Sequence, residues 1–348
     1  MRRFAVIVLR IASIGIAVCA VAFVALGGSS SFDVKADATA NFLRTARTFA
    51  TLPFIEETPL TGEDRGHVNV LLLGMSGPGY ESPMLTDSIV IANINTETKQ
   101  TSLVSVPRDL LVQLPDNRLV SRINTLYLTK KLDDERAGIT DVASHTSLVR
   151  AKLEEITGLS IPYAIVLNVA ALENVVNALG GVNVFVERDI RDPQFPTTGY
   201  GHETFSLDAG WRFLDGATAQ KYARTRHDIR GDFGRMERQQ QVIAALLAKA
   251  KALSLIRDLP KILSLISTLG TNLGTNADAR EIKRAWSIAQ DINPTNIRTL
   301  ALDGGQTDSL LTDYRPYLGA GVASTLVPRA GTFDYSEIRA RVAELLQK

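Results

Sequence analysis

The feature that most constrains the fold of this chain is a strand, a helix and a second strand that follow one another near its middle. Residues 163–169 and 182–186 have the pattern of strands, and residues 171–179 between them have the pattern of a helix. A helix that joins two strands of one sheet usually returns the chain so that the strands run parallel. We therefore predict an α/β fold with a central twisted mixed sheet flanked by helices.

Three more strands and another helix are predicted before this unit. Residues 67–74 form an almost continuous apolar run that ends in glycine, as expected of a buried strand. Residues 87–95 and 100–107 follow as two further strands, and the short polar connection between them predicts a hairpin. Residues 146–157 have the apolar spacing of an amphipathic helix.

The first residues carry the clearest topological signal. Residues 4–26 are apolar or small apart from Arg10 and Ser13, and two arginines precede them. That length can span a bilayer, and the preceding arginines favour a cytoplasmic N-terminus. We predict a single-pass anchor in the cell membrane over residues 1–28, a stalk over 29–66, and a body outside the cytoplasmic membrane. A cleaved signal peptide is the alternative, because small residues follow the apolar run.

The composition excludes several classes of site. The chain has 348 residues, of which 45% are hydrophobic, and this is ample material for a globular core. Its 38 basic and 37 acidic residues leave no large positive excess, which argues against a nucleic-acid partner. One cysteine excludes a disulfide framework and a cysteine-rich zinc site, and four scattered histidines argue against a histidine metal site.

A dense group of arginines lies between Arg224 and Arg238. It contains five arginines, in a chain whose formal net charge is only +1. Guanidinium groups present planar forks of donors that suit phosphate and carboxylate oxygens, and they stay charged at any working pH. The segment therefore predicts a binding site for a multiply charged anion, such as a phosphate or a pyrophosphate.

Helical spacing selects the members of this group that face inward. A long helix is predicted to begin after Asp232, which would be its N-cap. Four residues at spacings of four, three and four share one face of it, namely Arg235, Gln239, Val242 and Leu246. The apolar end of this face must pack inward, so Arg235 and Gln239 should point over a cavity. The helix N-terminus would add to the attraction for an anion there.

The other arginines of the group are less specific. Arg224 and Arg226 are two residues apart, so an extended segment would place both on one side. Arg230 and Arg238 are equally well explained by surface ion pairs with the acidic residues beside them. Such ion pairs are also the alternative for the segment as a whole.

Two further candidate residues lie near strand ends. Pro107 ends the third strand, so Arg108 would project from the rim of the sheet, where ligands bind in α/β folds. A surface turn is the alternative for Arg108. Asp87 stands just before the second strand, where a lone aspartate is usually a cap or turn residue. Beside a pyrophosphate it could also hold Mg²⁺, which prefers one or two carboxylates plus phosphate oxygens.

Together these segments resemble the LytR-CpsA-Psr phosphotransferases of bacterial cell envelopes. The order and spacing of the motifs hold over about 170 residues. The matching segments are 69–74, Thr86-Asp87-Ser88, Val106-Pro107-Arg108-Asp109, Arg122-Ile123-Asn124, 179–182, 214–216, 222–226 and 232–240.

The resemblance implies an activity and a set of site residues. Members of this family transfer a glycopolymer from a polyprenyl-pyrophosphate carrier to a hydroxyl of peptidoglycan, as a phosphodiester. The lipid lies in an apolar tunnel, and Mg²⁺, with Mn²⁺ as an alternative, bridges the pyrophosphate. Residues 67–252 would then be the catalytic domain, with Asp87 as the metal ligand. The implied pyrophosphate-binding residues are Arg108, Arg224, Arg226, Arg235 and Gln239, with Arg122, Asn124, Asp232 and Arg238 as further candidates.

The chain departs from the family pattern at one acidic position. The family commonly has a second aspartate after the first strand, where this chain has Met75 and Ser76. Because this carboxylate is missing, no general base is assigned and other functions are considered. A polyprenyl-pyrophosphate hydrolase and a non-catalytic polyprenyl-phosphate-binding protein remain the alternative functions. Residues 253–348 contain no chemical cluster, and we predict a helical packing or accessory region there.

Overall fold

The computed structural model describes residues 56–77, 82–115, 120–197, 201–225, 231–251, 273–289, 291–292, 297–302, 309–318 and 321–347. The predicted membrane anchor and most of the predicted stalk lie outside these ranges. Among the residues within them, no helix is both long enough and apolar enough to cross a bilayer.

The described part of the chain alternates between strands and helices. Its strands are β1 (His67–Met75), β2 (Thr86–Asn95), β3 (Thr101–Ser105), β4 (Leu111–Gln113), β5 (Val120–Arg122), β6 (Tyr163–Asn168), β7 (Val182–Val186), β8 (Ile190–Pro196), β9 (His202–Leu207), β10 (Gly210–Leu214), β11 (Leu273–Thr275), β12 (Ile297–Ala301), β13 (Leu311–Tyr314), β14 (Tyr317–Leu318), β15 (Gly321–Val322) and β16 (Thr325–Pro328). Its helices are α1 (Leu126–Arg136), α2 (Val142–His145), α3 (Ser147–Thr157), α4 (Val169–Ala178), α5 (Gly216–Arg224), α6 (Gly231–Lys251), α7 (Ala279–Ala289) and α8 (Ser336–Gln347).

A six-stranded mixed sheet forms the centre of the molecule, in the order β11-β6-β1-β2-β3-β12. The strands β1, β2 and β3 form an antiparallel meander, as the predicted hairpin requires. The parallel pairs are β1 with β6 and β3 with β12, and β11 closes one edge antiparallel to β6. The predicted mixed sheet is therefore confirmed.

The parallel pairs of the sheet are not the pair that the sequence pattern predicts. We expected β6, α4 and β7 to form a parallel unit, but β7 leaves the central sheet and pairs antiparallel with β10. The burial of β7 gives the reason, because Val182, Val184 and Val186 are buried while Asn183 and Phe185 are exposed. Such alternation is typical of a ribbon with one solvent-facing side rather than of a central parallel strand.

The two faces of the central sheet are packed to different degrees. On β1, Leu71 and Leu73 are fully buried against the layer that contains α1, α3 and α8. Val70 and Leu72 point to the opposite face, toward α4, α5 and α6, and remain partly exposed. Because successive strand residues point to opposite faces, one strand separates a dense core from a more open one.

The C-terminal region belongs to the central sheet. We expected a helical packing or accessory region over residues 253–348, but β11 and β12 form the two edges of the sheet. These strands have three and five residues, too few for an alternating pattern to stand out in the sequence. Helix α8 agrees with the helical character predicted for this region, and its Ile338 and Val342 are fully buried in the core beside α3.

The start of the described chain is fixed to α7 near one end of the sheet. Arg284 donates a hydrogen bond from Nε to Oε1 of Glu63 at 2.9 Å. The backbone N–H of Thr61 donates to the Tyr163 hydroxyl at 3.0 Å, and Leu60 is buried in an apolar cluster beneath α7. The hydrogen bonds from Arg284 hold the pKa of Glu63 below its usual value.

Candidate functional site

A cavity of about 650 Å³ lies between the open face of the central sheet and α6. Its wall follows β2 from Ser88 to Ile94, and this stretch spans roughly 20 Å at the rise of an extended strand. Apolar side chains of four strands and of the helices α4 and α6 line most of its length, including Val70, Leu72, Val90, Ala92, Leu103, Ile165, Leu167, Leu172, Val175, Val242, Ile243 and Leu246.

The charged residues of the cavity gather where β1, β3 and β6 end. The carboxyl end of such strands is the edge where ligands bind in α/β sheets. Four arginines and three aspartates line this part of the wall, namely Arg108, Arg122, Arg224, Arg235, Asp87, Asp109 and Asp192. The cavity therefore has a charged end that continues into an apolar interior.

Arg108 and Asp87 meet at this charged end. Arg108 follows β3, and its Nη1 donates to Oδ1 of Asp87, the second residue of β2, at 2.7 Å. The two side chains are 22% and 24% exposed, so both face the cavity rather than bulk solvent. Asp109 continues the cluster and forms ion pairs with Arg108 at 3.3 Å and with Arg122 at 3.4 Å. The structure thus brings Arg108, Arg122 and Asp87 together, as the sequence suggests.

Asn124 completes this side of the wall. Its backbone carbonyl accepts from Oγ1 of Thr86 at 3.2 Å, and its backbone N–H donates to the carbonyl of Arg108 at 3.3 Å. The side chain lines the cavity and is only 3% exposed, and within the described residues its Oδ1 has no hydrogen-bond partner. A buried acceptor of this kind is a binding position for a ligand donor or an ordered water.

The helix α6 supplies the opposite wall, and the four residues predicted to share its inward face all line the cavity. Arg235 is 2% exposed, and Val242 and Leu246 follow it along the buried stripe. Gln239 accepts a hydrogen bond from the Ser88 hydroxyl at 2.8 Å, which ties the helix to the sheet. The helical spacing therefore identified this face correctly.

Two details at the start of the arginine group differ from the sequence prediction. Arg224 is the last residue of α5 rather than part of an extended segment, and Thr225 after it is the C-cap of that helix. Asp232 is not the N-cap of α6, because the helix begins one residue earlier. Arg224 still reaches the cavity, with its guanidinium carbon 5.3 Å from the centre of the Phe195 ring. Arg226, Arg230 and the side chain of Asp232 lie outside the described residues.

Arg238 has a different position from the cavity-lining arginines. Its side chain is 6% exposed, so the surface ion pair considered above does not describe it. Its Nε donates to the carbonyl of Tyr222 at 3.1 Å, and its Nη2 donates to the carbonyl of Thr225. Cationic donors at the carbonyl end of a helix satisfy its unpaired acceptors. Arg238 therefore fixes the end of α5 against α6.

Comparison with known proteins identifies the family of this chain. The family model described as the LytR_cpsA_psr family matches residues 32–320. The chain belongs to this family.

Relatives and solved structures of the family cover most of the chain. A protein of Oceanobacillus iheyensis named polyisoprenyl-teichoic acid–peptidoglycan teichoic acid transferase TagU is 31% identical over 247 residues, which are 70% of either chain. The protein of the same name from Enterococcus faecalis is 27% identical over 68% of this chain and 71% of its own. Among solved structures, Bacillus subtilis TagV has a TM-score of 0.59 at 23% identity, over 81% of this chain and 97% of that one. A structure titled TagT bound to LI-WTA has a TM-score of 0.58 at 23% identity, over 84% and 95%.

Met75 and Ser76 occupy the position of the second aspartate common in this family. Met75 is buried and packs in the dense core on the α3 side of the sheet, and both residues contribute to the cavity wall. Ser76 therefore faces the site with a hydroxyl in place of a carboxylate. The described residues contain no group of three or more His, Cys, Asp or Glu side chains that could hold a metal ion. Asp87 nevertheless fits Mg²⁺, because this ion needs only one or two protein carboxylates when phosphate oxygens complete its shell.

Sequence reasoning missed one buried carboxylate in the cavity wall. Asp192 is 1% exposed and lines the cavity from β8, although it lies more than thirty residues before the arginine group. A single aspartate between Arg191 and Pro193 carries no spacing that would mark it. Its contact comes only from the tertiary fold, which brings β8 to the end of α5.

Proposed function

We propose that this protein is a membrane-anchored phosphotransferase that moves a glycopolymer from a polyprenyl-pyrophosphate carrier to peptidoglycan. The observation that carries the proposal is one continuous cavity with an arginine-lined end and an apolar interior. A polyprenyl pyrophosphate has the same division, with a multiply charged head and a hydrocarbon tail. Two relatives named as teichoic acid transferases to peptidoglycan, with polyisoprenyl-linked teichoic acid in their names, support this substrate class.

The side chains at the charged end suit phosphoryl transfer. Arg108, Arg224 and Arg235 would hold the pyrophosphate, with Gln239 fixed between the helix and the sheet. Arg226, outside the described residues, is included on the sequence pattern and the family resemblance. Phosphoryl transfer depends on positioning and on neutralising charge more than on covalent help from the protein. Asp87 would hold Mg²⁺, which when bound stabilises the negative charge that develops on the leaving phosphate.

The proposed step is a transfer between two oxygens at one phosphorus. A hydroxyl oxygen of peptidoglycan forms a bond to the phosphorus that carries the polymer, and the bridging P–O bond to the second phosphate breaks. Polyprenyl phosphate leaves with that bridging oxygen, and the hydroxyl proton passes to solvent. The product is a phosphodiester between polymer and peptidoglycan. The apolar wall keeps the lipid in place throughout, because its transfer into water is unfavourable.

Activity of the purified full-length protein would test this proposal. The assay contains a polyprenyl-pyrophosphate-linked oligosaccharide, peptidoglycan and Mg²⁺, and it measures polyprenyl phosphate released and oligosaccharide bound to peptidoglycan. We expect Arg235→Ala and Asp87→Ala each to lower the rate by about 100-fold or more, since each removes charge stabilisation of the transition state. Arg341→Ala is the control, because Arg341 is exposed on α8, where it pairs with Glu344.

The same assay separates the alternative functions. Release of polyprenyl phosphate with the oligosaccharide left in solution would indicate a hydrolase. Binding of the substrate without release would indicate a carrier or sensor. Full activity in either active-site variant would reject the site assignment.

The membrane topology belongs to the proposal as well. A reporter that is active only outside the cytoplasmic membrane, fused to the C-terminus, should be active, because the arginines before the apolar run favour a cytoplasmic N-terminus. Activity of a cytoplasmic reporter at the same position would contradict both the topology and the access to peptidoglycan.

A further inference from the structure

A buried carboxylate contacts the arginine segment from the β8–β9 hairpin. Asp192 in β8 is 1% exposed, and its Oδ2 accepts a hydrogen bond from the Thr225 hydroxyl at 2.6 Å. Its Oδ1 accepts from the backbone N–H of Gln194 at 3.1 Å. The carboxylate is therefore held in a defined orientation while it forms part of the cavity wall.

Thr225 links this carboxylate to the arginines. It is fully buried, follows Arg224 at the end of α5 and precedes Arg226. Its carbonyl accepts from Arg238, so both its side chain and its backbone are fixed. Phe195, from the same hairpin as Asp192, lies beneath the guanidinium of Arg224 at 5.3 Å. The hairpin thus contacts the arginine segment at two adjacent positions.

The charge of Asp192 gives a second reason for its place. A carboxylate this deeply buried is unfavourable unless cationic or donor groups compensate it. Four arginines line the same cavity, and Arg108 and Arg122 form ion pairs with Asp87 and Asp109. Asp192 adds a third carboxylate to the same wall, and its negative charge lowers the repulsion among the arginines before the ligand arrives.

We propose that Asp192 is a positioning residue that, through Thr225, holds Arg224 in the geometry that binds pyrophosphate. This inference rests on the proposed function and adds a residue to it. Asp192 does not donate to the phosphates, since a carboxylate would repel them. It acts by orienting the donors and by balancing their charge before binding.

The test compares variants that remove the charge of Asp192, variants that remove the hydroxyl of Thr225, and variants that keep both. Asp192→Asn keeps the shape and removes the charge, Thr225→Val removes the hydroxyl, and Thr225→Ser retains it. Asp313→Asn is the matched control, because Asp313 is exposed on β13. Each full-length variant is measured for its affinity for inorganic pyrophosphate with Mg²⁺, for kcat and KM in the transfer assay, and for the melting temperature.

We expect Asp192→Asn and Thr225→Val each to weaken pyrophosphate binding and to lower kcat by about tenfold, because the donors lose their alignment. The double variant should lose little more than either single variant, because both changes weaken the same contact between Asp192 and Thr225. Thr225→Ser keeps the hydroxyl that donates to Asp192. Its pyrophosphate affinity and kcat should therefore stay within about twofold of those of the unaltered protein. Asp313→Asn should behave like the unaltered protein.

Two results would overturn the inference. Pyrophosphate affinity and kcat unchanged in folded Asp192→Asn, with only a lower melting temperature, would make the residue structural alone. Additive losses in the double variant would mean that Asp192 does not act through Thr225. If the unaltered protein binds pyrophosphate but transfers nothing, the proposed function fails while the affinity comparison still decides the role of Asp192. If it binds no pyrophosphate, both fail.

Discussion

Gly74 illustrates how a single residue shapes the charged end of the cavity. It lies near the end of β1, opposite Ser88 on β2, and a Cβ atom at Gly74 would lie 2.9 Å from the Cβ of Ser88. The missing side chain leaves room for the Ser88 hydroxyl, which donates to Gln239 across the cavity. The position of Gln239 beside the arginines therefore depends on a glycine in the neighbouring strand.

We predict that Gly74→Ala destabilises the protein by about 1–3 kcal/mol, because two adjacent strands must move apart to accept the new methyl group. The free energy of unfolding in urea measures this change. Adding Ser88→Gly removes the clashing Cβ and should restore most of the stability lost. A double variant as unstable as Gly74→Ala would show that the strain lies elsewhere.

Single residues of the site differ in how far the sequence reveals them. Arg235 and Gln239 were identified because they and their apolar neighbours belong to one helix, whose period is visible in the sequence. The sequence did not reveal the roles of Arg238 and Asp192. Their partners lie at the end of α5 and directly after it, at a different place in the chain. Local periodicity reports which face of an element is buried, but it does not report which element covers that face.

At the scale of elements, α6 combines two tasks along one face. Its first turns carry Arg235 and Gln239 at the charged end, and its later turns carry Val242, Ile243 and Leu246 beside the apolar part. Head-group binding and lipid binding should therefore respond separately to substitutions along the helix.

We predict that Ile243→Asp weakens binding of a soluble isoprenoid pyrophosphate, such as geranylgeranyl pyrophosphate, by about tenfold or more, because it places a charge against the lipid. Binding of inorganic pyrophosphate should change little, since the charged end is intact. Titration of both ligands measures the difference, with Ala248→Asp on the exposed side of α6 as control. An equal loss for both ligands would contradict the division of the helix.

The contact between Glu63 and Arg284 of α7 should make part of the stability depend on pH. The hydrogen bonds from Arg284 lower the pKa of Glu63 in the folded state, so the unfolded state binds a proton at higher pH than the folded state. This contribution to stability is present above the usual carboxyl pKa of 4.5 and is lost as the pH falls through the lower pKa of the folded state.

Glu63→Gln should therefore reduce the free energy of unfolding by about 0.5–1 kcal/mol at neutral pH, and the difference from the unaltered protein should shrink in acid. Urea unfolding across this pH range measures it. Glu56→Gln, in the same segment but exposed, is the control and should leave the pH dependence unchanged. A difference that grows in acid would have the wrong sign for a lowered pKa.

Long elements with a clear period were predicted best. The strands β1 and β2 and the helix α3 agree with the sequence patterns. Helix α1 was not predicted, because two of its four buried residues, Lys131 and Asp134, are charged. The β4–β5 and β8–β9 hairpins were also missed. The strands β4 and β5 have only three residues each, and β8 contains Pro193 and an irregularity between Asp192 and Phe195 that interrupts its pattern.

At the scale of the whole molecule, the C-terminal segments are part of the central fold. We predict that a chain ending at residue 252 does not unfold cooperatively, because it lacks both edge strands and leaves the core beside α3 uncovered. Circular dichroism and urea unfolding of the shortened protein measure this. A cooperative transition like that of the intact chain would instead support the accessory region predicted from the sequence.

The strand order of the central sheet also has a consequence for how the chain acquires its structure. Strand β6 lies between β1 and β11, and β12 pairs with β3, so partners in the sheet are separated by about a hundred residues or more in sequence. Pairings over such distances form slowly, because a long loop must close before any contact compensates for the lost entropy. Neither edge can be covered during synthesis until the last quarter of the chain has emerged. A newly made molecule therefore carries unpaired strands for most of its synthesis, and this is the period in which it is most open to aggregation and to protection by chaperones.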